Sequence, residues 1–273
     1  MMIKSKPLLL IDVHNLAWRA FHSTGMLSFQ DNPTGVLFGV LREVNRLQFE
    51  WAPKAMAFCF DTPTSQRQKD CPTYKANRGN PHDDPDLIEA RLKVRLQVIQ
   101  LRKVILPAIG FRNFFLAKGY EADDLIASIC SQYKKRTILI VSNDHDMLQL
   151  LGENVSIWNA HKHKITTAQS FRDEWGISPL QWVEVKALAG CLSDNVHGVP
   201  GVGEKTAAKF MRGQLKPNSK AYNAIVTNND LWERNIRLVR LPYPGTPSFE
   251  VFPDATTPKT WQSELTKLGI RSF

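Results

Sequence analysis

The sequence lacks the marks of an oxidising compartment or a membrane. Its four cysteines, Cys59, Cys71, Cys130 and Cys191, are scattered, with no Cys-x-x-Cys pair and no histidines at zinc-finger spacing, which argues against a zinc site and a disulfide framework. A reducing cytoplasm is the simplest compartment. The start, Met1 to Pro7, leads into only a short apolar run that ends at Asp12, so it reads as neither a signal peptide nor a membrane span. Internal repeats and low-complexity segments are missing too. With 43% hydrophobic and 22% charged residues, the 273-residue chain has the composition of a folded globular protein rather than a disordered one. Acids are outnumbered, 26 Asp+Glu against 35 Lys+Arg, for a formal charge of +9. A basic exterior suits a polyanionic partner.

Against that background the placement of the acids stands out. Eight carboxylates fall in five short segments: Asp12 after Leu8 to Ile11, Asp61 after Ala55 to Phe60, then Glu121, Asp123 and Asp124, then Asp144 and Asp146 after Thr137 to Val141, and Asp194 in Gly190 to Asn195. Neighbouring carboxylates repel and raise one another's pKa unless cations sit among them. Asp is also favoured at helix N-caps, which accounts for any one of these segments taken alone but not for all five together. An oxygen-only ligand set selects hard cations, magnesium or manganese, over zinc. Two such ions about 4 Å apart could hold the attacking and leaving oxygens of an in-line phosphoryl displacement, so phosphodiester hydrolysis is the expected chemistry.

Strand-length apolar runs near residues 8–12, 55–60, 112–116, 137–141 and 154–158 alternate with helical patterns, which predicts an α/β fold with a central, mainly parallel sheet flanked by helices. Ligands of such sheets bind beyond the carboxyl ends of the strands, where Asp12, Asp61 and the Asp144/Asp146 pair fall. Residues 1–177 form this expected domain. It is interrupted at about 62–107 by a strongly basic insertion, irregular in its Pro-rich first half and a long helix from Leu87. There Tyr74-Lys75-Ala76-Asn77-Arg78 puts two cations three residues apart, on one face if helical, where Lys75 could meet a phosphate oxygen and Arg78 could grip it bidentately. Residues 178–273 read as a helical domain. In it Gly198 to Ala207, containing Gly201, Gly203, Lys205 and Thr206, has the form of a helix-hairpin-helix, whose glycines let backbone N–H groups approach the phosphates of duplex DNA without reading sequence.

These residues together resemble the 5′-nuclease superfamily: bacteriophage flap endonucleases and the 5′ to 3′ exonuclease domain of bacterial DNA polymerase I. The likeness runs from about Leu8 to Leu241. It rests on Leu10-Ile11-Asp12, Trp18-Arg19-Ala20-Phe21, Pro33-Thr34-Gly35, Phe60-Asp61, Tyr74 to Arg78, Gly119 to Asp124, Asn143 to Leu150, and Ser193-Asp194-Asn195 through Thr206. The resemblance implies a PIN/SAF-like nuclease domain with a helical arch, formed by the basic insertion, that admits single-stranded 5′ ends. It implies a structure-specific 5′ nuclease, flap endonuclease and exonuclease, that removes flaps or primers in replication and repair. By position, Asp12, Asp61, Glu121, Asp123 and Asp124 would serve one divalent ion, and Asp144, Asp146 and Asp194 a second. Lys75 and Arg78 would act on the scissile phosphate, and Arg19 and Tyr74 join the hairpin residues as expected DNA contacts. A potassium ion at the helix-hairpin-helix, a replicative polymerase as partner, a monomer, and a bacterial or phage-infected cytoplasm complete the expectation.

One position departs from the family pattern, which has Asp where Cys191 stands. Cysteine is a soft ligand and a poor partner for magnesium, so a weaker second site that leans on manganese is expected. Two other readings are a junction-binding protein with weakened catalysis and a ribonuclease acting on structured RNA. The latter would leave the hairpin and the long arch unexplained.

Overall fold

The computed structural model describes residues 6–78 and 84–271. A six-stranded sheet holds the centre, built from β1 (Leu8–Asp12), β2 (Ala55–Cys59), β3 (Asn113–Phe115), β4 (Ile138–Val141), β5 (Val155–Asn159) and β6 (Lys164–Thr166) in the spatial order β3-β2-β1-β4-β5-β6. All neighbours run parallel except β6, which returns antiparallel beside β5. In β1, β2 and β4 every residue is buried, because helices cover both faces, and this is why those strands read as unbroken apolar runs rather than alternating ones.

Successive side chains of a strand face opposite sides. Leu8 and Leu10 therefore join a core under the helix α4 (Ala122–Gln132), while Leu9 and Ile11 join a second core under α1 (Val13–Thr24) and α2 (Gly35–Trp51). The long insertion helix α3 (Pro85–Gln100) lies on the second core through Val94 and Val98. It begins two residues before the expected Leu87, with Asp84 capping it and Pro85 in the first turn, where a missing N–H costs nothing. Residues 79–83, within the expected arch, lie outside the described residues.

After β6 the chain is mainly helical: α5 (Trp182–Ala189) and α6 (Glu204–Met211) pack through Val185, Leu188, Ala207 and Ala208 on the first core, and α7 (Asn229–Val239) lies against it through Leu231 and Trp232. The segment after Pro242 then turns back to the sheet. Asn113 on the edge strand β3 exchanges hydrogen bonds with the backbone of Phe252, and the Asp254 carboxylate accepts from Met56 N at 2.7 Å and Arg112 N at 3.2 Å. The last helix, α8 (Pro258–Lys267), inserts Trp261 edge-on to Phe111 and donates its indole N–H to Gln48 Oε1 at 2.9 Å. No helix among the described residues is long and apolar enough to cross a membrane.

Trp261 is therefore core on which the C-terminal return depends. Trp261→Ala is expected to cost about 3–5 kcal/mol, read as a lowered urea midpoint. A loss below about 1 kcal/mol would show that α8 is an appendage.

Candidate metal centre and nucleic-acid interface

The carboxyl end of the sheet gathers the acids because three parallel strands end there and one helix starts there. Asp12 ends β1 and caps α1, its Oδ1 accepting from Asn15 N at 3.0 Å. Asp61 follows β2, and its Oδ1 accepts from Ala122 N at 2.8 Å, at the positive end of α4. Asp144 follows β4 and caps the next turn through Asp146 N at 2.8 Å. The Asp12 and Asp144 contacts are the caps that the Asp preference anticipates; the second oxygen of Asp12 accepts from Ser142 Oγ at 3.3 Å, and that of Asp61 lies 3.4 Å from His14 Nδ1.

Electrostatics mark the rim as short of positive charge. Burial, then Asp61, pushes the Asp12 carboxyl up to about 7 from its usual 3.8, with Asp144 adding to the rise. Burial also raises Asp123 well above that value, followed by Asp144, Asp12 and Asp61. Asp12, Asp61, Asp123 and Asp144 thus form one repelling set. Asp146, pushed up to about 6 by burial and then by Asp144, belongs to a second set. Its ligand atoms, with those of Cys191 and Asp194, lie within 4.8 Å of one another. Asp146 Oδ1 sits 3.1 Å from Lys186 Nζ but outside hydrogen-bonding alignment, leaving a buried acceptor without a hydrogen bond. Buried carboxylates in mutual repulsion, with an unsatisfied oxygen, fit divalent cations held by oxygen donors.

The other predicted residues are arranged less simply. Asp124 is fully buried behind the rim, its two oxygens taking both arms of Arg67 at 2.6 and 2.8 Å and also the Tyr243 N–H at 2.8 Å. It is a pillar under the site, with no oxygen facing the other acids. Glu121 pairs with Lys75 Nζ at 2.8 Å and accepts from the Tyr74 hydroxyl at 3.0 Å. Asp144, expected with the second ion, faces both sets. Tyr74, expected on DNA, is 3% exposed and packs with Val183 and Val196, its hydroxyl tying Glu121 to Asp194. Its ring is a strut, since a buried phenol cannot stack on a base.

Lys75 and Arg78 converge on the acids although their segment is a series of turns, not a helix: Lys75 has φ +54°, its N–H donates to Asp194 O at 2.8 Å, and Arg78 Nη2 reaches Asp194 Oδ1 at 2.6 Å. Burial works against the Lys75 ammonium, but Glu121 and Asp194 outweigh it and raise its pKa. Arg19 pairs with Glu43 at 3.3 Å on the α1–α2 surface.

Lys186 went unnoticed in the sequence. It is 7% exposed on the apolar helix α5 and bridges Asp146 at 3.1 Å to Glu204 at 3.2 Å, the first residue of α6. A lysine in the otherwise apolar run Trp182 to Ala189, apart from Glu184, was its signal. Glu204 also lies 3.5 Å from His145 Nδ1. The expected hairpin turn leads into α6: Gly201 takes φ +76° with open space around it, Gly203 is likewise open, Lys205 is exposed, and the Thr206 N–H donates to Gly203 O. The second acidic set and the hairpin are therefore joined through one buried ammonium.

Known proteins resemble the chain over most of its length. Residues 7–176 match the family described as 5′-3′ exonuclease, N-terminal resolvase-like domain. The chain is 30% identical over 239 residues to a 5′-3′ exonuclease of Buchnera aphidicola subsp. Schizaphis graminum, covering 86% of this chain and 79% of that protein. It is 34% identical over 218 residues to DNA polymerase I of Mycobacterium leprae, covering 76% of this chain but only 23% of that polymerase. Among solved structures, the flap endonuclease of bacteriophage T5, in a pseudo-enzyme-product complex with DNA and metal ions, has the same fold: TM-score 0.72 at 21% identity, covering 86% of this chain and 89% of that one.

The raised carboxyls give a signed pH dependence. Between the ordinary 3.8 and about 7 for Asp12 or about 6 for Asp146, the folded protein keeps protons that the unfolded chain has released, so in chelator its stability falls as pH rises through that window. Added Mg2+ or Mn2+ should raise Tm more at about pH 7.5 than at about pH 5, and an equal shift at both would contradict the assignment. In the second set, Cys191→Asp should tighten Mg2+ binding by roughly tenfold, about 1.4 kcal/mol by titration calorimetry, with less effect on Mn2+. Unchanged Mg2+ affinity would remove Cys191 from the site.

Proposed function

Because the chain belongs to the 5′-3′ exonuclease family, we propose that it is a structure-specific 5′ nuclease that hydrolyses DNA phosphodiesters at 5′ ends and at the base of 5′ flaps, removing flaps or primers in replication and repair. The observation that carries the reading is the meeting of two acidic sets with Lys75 and Arg78 at the carboxyl end of one parallel sheet. Asp12, Asp61, Asp123 and Asp144 would hold one divalent cation and Asp146 and Asp194 a second, Mg2+ or Mn2+ by the hardness of the donors. When bound, such cations supply an activated water and offset the charge of the reacting phosphate.

The chain's own groups do the rest. Lys75 and Arg78, now held by Glu121 and Asp194, can exchange those carboxylates for phosphate oxygens, Arg78 with two parallel N–H donors and Lys75 as a point charge. Glu121, Tyr74 and Asp194 keep the two cations aimed at the rim before DNA arrives. The turn Gly201 to Thr206 can grip duplex backbone through its N–H groups and Lys205, and the same turn is where a potassium ion would sit. Arg19 extends the basic surface beside α1.

In this reading residues 1–177 supply most of the acids together with Lys75 and Arg78, and the helices that follow add Asp194 to the second cation and hold the duplex. One chain supplies every group, so a monomer suffices. A polymerase that leaves a primer or flap is the partner the activity requires, in the cytoplasm of a bacterial or phage-infected cell.

Cleavage of a 3′-labelled single-flap DNA tests this. Wild type should release the flap with Mg2+ or Mn2+ and not in chelator, and Asp146→Asn, still folded by its melting curve, should be slower by about a hundredfold or more. Tight flap binding without cleavage in either metal would leave a junction-binding protein instead.

A further inference from the structure

Beside Asp61, on the side of the rim away from the hairpin, lies a cavity of about 380 Å³ between α1 and α3. One wall is aromatic, made by His14, Trp18 and Phe60; the other carries Arg91, Arg95 and Arg102 from the insertion helix. The arginines share a face because positions 91, 95 and 102 recur at four and eleven residues, about one and three turns, and the π-helical turn Leu101–Ile105 continues the same rod. Arg102 stands 5.6 Å above the Phe60 ring. None of the ion pairs among the described residues engages Arg95 or Arg102. Asp61 is the single acid lining the cavity, and it is already held by the Ala122 N–H and lies 3.4 Å from His14 Nδ1.

An aromatic wall facing guanidinium groups, in a volume at the small end of ligand sites, suits one planar ring attached to one anion. That description fits a nucleotide. The duplex-gripping turn adjoins the Asp146 set through Lys186 and Glu204, whereas this cavity adjoins Asp61 across the rim, and the nuclease reading then sets the direction of the strand. What enters it is the strand leaving the duplex toward its 5′ end.

We infer that this cavity is a binding site for a 5′-phosphorylated terminal nucleotide, its base against Trp18 and its phosphate on Arg95 and Arg102, and that it gives the enzyme a preference for phosphorylated 5′ ends at nicks. The inference rests on the nuclease reading for its strand direction but not for the binding itself. A long flap carries its terminal phosphate past the cavity, so the preference is confined to ends one nucleotide from the rim.

Two measurements separate the inference from that reading. At a nick, the KM of wild type for a 5′-phosphoryl end should be about tenfold below that for a 5′-hydroxyl end, and the ratio should fall toward one in Arg95→Ala, recover in part in Arg95→Lys, and be near one on a flap of about twenty nucleotides. In chelator, the anisotropy of a 3′-fluorescein trinucleotide should show tighter binding of the 5′-phosphorylated form, lost in Arg95→Ala. Phosphate-dependent binding without cleavage of any end would support the cavity while removing the nuclease reading. Normal cleavage with equal KM values and equal binding for both ends would overturn the cavity and leave the nuclease reading intact. Arg95 is exposed, so its loss should leave the fold in place, which matched melting curves would verify.

Discussion

Everything at this site follows from putting carboxylates close together in a poorly solvated place. Three parallel strands end within one rim, and each delivers an Asp, so burial and then mutual repulsion push Asp12, Asp123 and Asp146 toward their protonated forms. The protein offsets that cost with its own cations from outside the sheet: Arg67 under Asp124, Lys75 on Glu121, Arg78 on Asp194, and Lys186 on Asp146. Those four cations hold the insertion and the helical half against the sheet. The electrostatic problem of the site and the tertiary arrangement of the chain are therefore one problem.

On the proposed function, this coupling ties the parts that would meet DNA to the parts that would hold cations. Lys186 spans the second acidic set and Glu204 at the head of α6, so a duplex held at Gly201 to Thr206, as proposed, would be registered to Asp146 through two short contacts. On the other side, Tyr74 and Lys75 register the insertion to Glu121. Strand, insertion and hairpin share a reference point, as a nuclease that selects shape rather than sequence requires.

The sheet was legible in the sequence because parallel strands covered on both faces appear as runs such as Leu8 to Ile11 and Ile138 to Val141, and because an Asp just beyond such a run sits at the ligand-binding end. The turn at Gly201 was legible because its φ of +76° is one that glycine adopts readily. What could not be read was which acid meets which cation. Asp123 and Asp124 are adjacent, yet one faces the rim and the other is enclosed by Arg67, a base 57 residues away in sequence. Tyr74 was expected as a DNA contact because it lies among cations in the sequence, and only tertiary packing buries it. The return of Phe252, Asp254 and Trp261 to β3 and α2 was equally hidden, since a Pro-rich stretch carries no periodicity to announce a strand-edge cover.

The central claim is that the acidic rim is a divalent-cation site whose own lysine and arginine stand in for cations until these arrive. A crystal structure with Mn2+, read by anomalous scattering, tests it most directly. The account predicts peaks about 2.0–2.2 Å from oxygens of the Asp12, Asp123 and Asp144 set and of the Asp146 and Asp194 set, with Lys75 and Arg78 withdrawn from Glu121 and Asp194. Peaks elsewhere, or an unaltered rim at saturating Mn2+, would contradict it.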